Sequence, residues 1–169
     1  MITYLIILVT SVISIAAFRN TSIIDKYKFN SYLIVHNKEA RRLVSHAFIH
    51  ADWQHLLFNM LTMFFFGKQV EDTFTGYFGV KGIFLFIFLY IGGAVVSSLY
   101  SLYKHQHNPY YSAVGASGAI SSVLFASILF EPLNKIHIFF IPIGIPAFIF
   151  GAIYLGVSYY MSKNSNDNI

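Results

Sequence analysis

A chain of 169 residues in which 56% are hydrophobic and only 11% charged is too apolar for an ordinary soluble domain, where about a quarter of residues carry charge. Its length allows about five to six bilayer spans of ~20 residues with short loops. The formal net charge of +4 sits in connections between apolar blocks, which favours anionic lipid headgroups over nucleic acid, and the absence of cysteine excludes disulfides, thiolate metal sites and a cysteine nucleophile.

The first apolar block covers 2–18. It lacks a basic leader, and Ala16-Ala17-Phe18 is a poor cleavage site, so the block reads as a membrane helix rather than a signal peptide. A long connection, 19–45, follows with Arg19, Lys26, Lys28, Lys38, Arg41 and Arg42. Its apolar patch at 32–35 is too short to span and suits partial immersion at the interface. A second helix is predicted over 54–67, containing Asn59 and entered through His46, His50 and His55. A third block, 83–103, lies between Lys81 and Lys104. A fourth, 113–130, is rich in small residues. The fifth covers 138–161, with Pro142 and Pro146 in its first turns, where proline is best tolerated. The blocks are continuous rather than alternating, so helices are expected and a barrel is not. The predicted architecture is an all-α membrane protein, one transmembrane domain of five helices with its termini on opposite sides. The positive-inside rule would put the basic first connection in the cytoplasm.

Two polar features stand out against this background. His55 and Asn59 are four apart on a predicted helix, so they share a face. Such a pair can aim hydrogen-bond donors at a developing oxyanion, or can fix helix packing through interhelical bonds. Gly115-Ala116-Ser117-Gly118 opens the fourth block. A serine there lies beside unpaired N–H groups and the positive end of the helix dipole, while the small residues equally suit close helix packing. His46 and His50 have a spacing that also suits zinc, but no glutamate stands where an HExxH site needs one.

Together the two features are more specific than either alone. His46, His50, His55 and Asn59 resemble the HxxxHxxxxHxxxN signature of the second helix of rhomboid intramembrane serine proteases. Gly67, Val70 and Glu71 resemble that helix's G-x-x-[VL]-E exit, and Gly115, Ser117 and Gly118 resemble the GxSG of the family's nucleophile. The resemblance implies a rhomboid-like helical bundle that cleaves transmembrane segments of membrane-protein substrates, in the bilayer and without a cofactor. Ser117 would be the nucleophile. His55 and Asn59, with the Ser117 backbone N–H, would form the oxyanion hole. His46 and His50 would be structural, and Glu71 would tie down the first loop or a helix end.

The chain also departs from the family. Its base is a histidine on a sixth helix, and 169 residues hold only the five predicted blocks. The chain is therefore expected to be a fragment, nearly inactive by itself; a non-catalytic client binder with a rhomboid-like fold is the alternative. The tryptophan–arginine pair common in the family's first loop is not evident, and Arg41-Arg42 is the nearest substitute. The family resemblance suggests a multi-pass protein of a bacterial plasma membrane with its first loop outside, against the charge count.

Overall fold

The structure, a computed structural model, describes residues 1–136 and 144–164. Helix α1 (Ile2–Arg19) carries no charged residue until its last, and Arg19 there complements the helix dipole. It ends at extended Asn20, whose side chain accepts from Ser22 N and starts α2 (Thr21–Tyr27). Asn30 caps α3 (Ser31–His36) in the same way, and α4 (Arg42–Ser45) runs into a 3₁₀ turn, His46–Phe48. The first connection is thus a set of short helices. Buried Arg42 stitches them together by donating to Glu39 and to the carbonyls of Asp25 and Lys28.

Asp52 caps α5 (Trp53–Thr62), accepting from His55 N at 2.8 Å. A π-helical turn (Met63–Gly67) joins α5 to α6 (Lys68–Phe78), giving one continuous helical run over 53–78. The predicted helix over 54–67 therefore continues eleven residues beyond Gly67, until Gly79 (φ +56°) turns the chain. Helix α7 (Val80–His105) extends the 83–103 block at both ends.

The remaining helices start later than their hydropathy blocks. Helix α8 (Ser117–Phe130) begins at Ser117 rather than 113, because Ala113 is held extended by paired hydrogen bonds to Phe29 and Gly115 has φ +115°. Within the predicted 138–161 block, the described helix is α9 (Ala147–Asn164). Before it, Lys135-Ile136 (β1) pairs antiparallel with Ile145-Pro146 (β2). A proline disfavours the α conformation of its predecessor, so Ile145 joins the hairpin and the helix starts after Pro146. Residues 137–143, including Pro142 and His137, lie outside the described residues.

Helix α8 sits at the centre. Ala119, Ile120 and Val123 pack with Phe86, Tyr90 and Ala94 of α7, with Met63 and Val70 of the 53–78 run, and with Ala47. Small residues permit the close approach: a Cβ on Gly118 would sit 2.5 Å from Ser97 Cβ, and one on Gly93 2.7 Å from Ser122 Cβ. Outer faces expose large apolar residues such as Phe84, Phe88, Val96, Leu129 and Phe148. Among the described residues, α1 and α7 are long and apolar enough to cross a membrane, and 117–130 and 147–160 are shorter apolar helices. This is an all-α membrane bundle.

The α6–α7 turn is tighter still. A Cβ on Gly82 would lie 2.3 Å from the Phe74 carbonyl oxygen, where only backbone movement could relieve it. Gly82→Ala is expected to cost about 1–3 kcal/mol through overpacking, lowering the thermal midpoint in detergent. Gly76→Ala is the control. Its Cβ would meet nothing within 4 Å, so the midpoint should hold or rise.

Candidate active site

Ser117 is the first residue of α8, and its side chain is exposed at the end of the bundle that the first connection covers. As a first-turn residue its N–H has no intrahelical acceptor. The turn before it is shaped by Gly115, whose N–H donates to His46 O at 3.0 Å. His46 Nε2 lies 3.3 Å from Ser98 Oγ of α7, and its ring meets Phe29 edge-on. His46 and the Phe29–Ala113 bridge thus clamp the Ser117 loop to the first connection.

His55 lies in the first turn of α5, where the Asp52 cap sets the helix start. Its Nε2 is 3.0 Å from Ser117 Oγ. Gly115 lets the two meet, since a Cβ there would fall 2.4 Å from His55 Cε1. Asn59, one turn along α5, is buried, and its Nδ2 lies 2.8 Å from His50 Nε2. His50 is wholly buried. Its Nδ1 is 2.9 Å from Ser14 Oγ, its Nε2 is 3.4 Å from Ala116 N, and its ring stands edge-on to His55 with centroids 4.9 Å apart. Burial pushes the His50 imidazole down to about 4, with His55 adding to the effect and Asp52 opposing it, so the ring is neutral at pH 7.

The histidine signature is therefore gathered around one serine. His55 contacts Ser117 directly, and Asn59 reaches its neighbourhood through His50. Glu71 is elsewhere. Its carboxylate accepts from Ile2 N, Thr3 N and Thr3 Oγ, so it holds the start of α1; of the two roles implied by the resemblance, the observed contacts are those of a helix-end tie. Of the other histidines, His105 stacks on Tyr111 and His36 on Tyr32, with His107 edge-on to His36.

Sequence reading missed Ser14 and Ser98. A signal for Ser14 exists: Thr3, Thr10, Ser14 and Ala17 recur at spacings that put small or polar residues on one buried stripe of α1. Its partner 36 positions away is a tertiary fact.

A serine hydroxyl at a helix N-terminus beside an imidazole, in an all-α membrane bundle, defines a class: an integral membrane protein with a serine–histidine pair at a helix end. Comparison with known proteins is specific. The Rhomboid domain model matches residues 37–169. RHOMBOID-like protein 12, mitochondrial, of Arabidopsis thaliana is 27% identical over 165 residues, covering 86% of this chain and 46% of that protein. Rhomboid protease GlpG of Haemophilus influenzae is 30% identical over 120 residues, covering 71% and 56%. RHOMBOID-like protein 2 of Arabidopsis thaliana is 39% identical over 87 residues, covering 52% and 24%. The chain spans about half the length, or less, of these relatives. It belongs to the rhomboid family.

Proposed function

We propose that the protein is an intramembrane serine endopeptidase that cuts transmembrane segments of other membrane proteins. The observation that carries this reading is the 3.0 Å contact between Ser117 Oγ and His55 Nε2 at the N-terminus of α8. Ser117 Oγ attacks the scissile carbonyl, forming a C–O bond and a tetrahedral oxyanion. In this reading His55, Asn59 and the Ser117 N–H donate to it. The intermediate collapses as the C–N bond breaks and the amine leaves with a proton. Water then attacks the acyl-enzyme and frees Ser117. The general base in this reading is a histidine of the kind that the resemblance puts on a sixth helix, and without such a base Ser117 is expected to react slowly. The substrate helix must unwind to present its carbonyl, so helix-weakening residues near the cut favour cleavage.

The test is active-site labelling. Membranes carrying the full-length protein are treated with a fluorophosphonate, and the adduct is mapped by peptide mass spectrometry. The expected result is one adduct, on Ser117, absent when the protein is denatured before labelling. A folded protein that takes up no label refutes the protease reading and leaves non-catalytic client binding, read by co-purification of membrane proteins.

A further inference from the structure

The hydrogen bonds around His50 admit one self-consistent proton arrangement. Ala116 N–H points at His50 Nε2 from 3.4 Å, and an amide N–H can only donate. Nε2 must then carry a lone pair, so the proton of the neutral ring is on Nδ1. Nδ1 lies 2.9 Å from Ser14 Oγ, which accepts that proton while its own hydroxyl donates to Phe48 O at 3.2 Å. With Nε2 as acceptor, Asn59 must turn the Nδ2 end of its carboxamide toward the ring, at 2.8 Å. One Nδ2–H is committed to His50 and the other is left to give.

We infer that Ser14 of α1 is a positioning residue for the site: by accepting the Nδ1–H of His50 it anchors the imidazole in the orientation that presents Nε2 to Ala116 N–H and to the Asn59 carboxamide. Its role in turnover rests on the protease reading above; its hold on the ring does not. The ring is sealed from water, with no exposed surface, so water cannot replace a lost partner from outside. Removing the Ser14 hydroxyl strands a buried N–H. Shifting the proton to Nε2 gives no relief, since it would oppose Ala116 N–H, so the ring turns from its place and Asn59 loses the partner that orients it. The ring is neutral in either tautomer, and the titratable groups facing it are His55 and Asp52.

Two readouts separate this from a packing role. In full-length protein with ¹⁵N-labelled histidine, the His50 resonances are expected to report a slowly exchanging Nδ1–H in the wild type and a shifted, faster-exchanging signal in Ser14→Ala. Turnover of a transmembrane reporter by Ser14→Ala is expected to fall about ten- to a hundredfold in kcat with KM unchanged, as when an outer-shell orienting group is lost. Ser14→Thr, which keeps the hydroxyl, should retain the wild-type tautomer and rate. A wild-type His50 protonated on Nε2 overturns the inference, as does a Ser14→Ala protein with both the wild-type Nδ1–H signal and the wild-type kcat. If the wild type neither cleaves nor takes fluorophosphonate, the protease reading fails by itself, and the tautomer measurement still decides what Ser14 does.

Discussion

Ser117→Ala is expected to reduce cleavage of a transmembrane reporter by at least about 10⁴-fold, to background on a gel, because a catalytic unit without its nucleophile keeps only the contribution of binding and the oxyanion donors. The fold should not notice. Ser117 is exposed, and its side-chain hydrogen bond is to His55 alone among the described residues. The thermal midpoint of the variant should therefore match the wild type, and the two measurements together tell a lost nucleophile from a lost fold. Cleavage that persists in Ser117→Ala would place the chemistry on another residue.

Gly115→Ala should come next in size, and it fails for a different reason. Gly115 has φ +115°, a region that costs a residue bearing Cβ about 1–3 kcal/mol. The new methyl would also lie 2.4 Å from His55 Cε1 and 2.7 Å from His55 Nε2. What yields is the end of a movable side chain, so most of the damage goes to the site rather than to the bundle. The His55 ring is displaced from Ser117 Oγ, and kcat is expected to fall about 10²–10³-fold, as when an oxyanion donor is removed. Fluorophosphonate labelling of Ser117 should slow in parallel, and the thermal midpoint should drop by the amount that this strain implies. A variant that labels and cleaves at the wild-type rate would show that the His55–Ser117 contact is not needed.

Gly82→Ala makes the contrast. There the added Cβ meets the Phe74 backbone, which has no rotamer to change, so stability falls and the site is spared. Two glycines with similar overlaps thus have opposite consequences, decided by whether the neighbour is a side chain or a carbonyl.

Much of this was legible in the chain because bilayer burial leaves a coarse mark. Long apolar runs with charges confined to the connections dictate an all-α membrane protein, and the spacing of His46, His50, His55 and Asn59 with the Gly115–Gly118 run carries the family. Helix ends were less legible, since hydropathy does not distinguish helix from extended chain. The start of α8 at Ser117 depends on Phe29 pairing with Ala113, and the start of α9 at Ala147 on a hairpin that Pro146 completes. The partners of the site histidines were not legible at all. His55 meets Ser117 across 62 residues and His50 meets Ser14 across 36, and no local pattern encodes such a distance. The sequence by itself determined the solvent this protein folds in, its helical class and its family. Only the tertiary structure decided which nitrogen faces which oxygen, because hydrogen bonds demand sub-ångström placement that the packing of α1, α5 and α8 alone can supply.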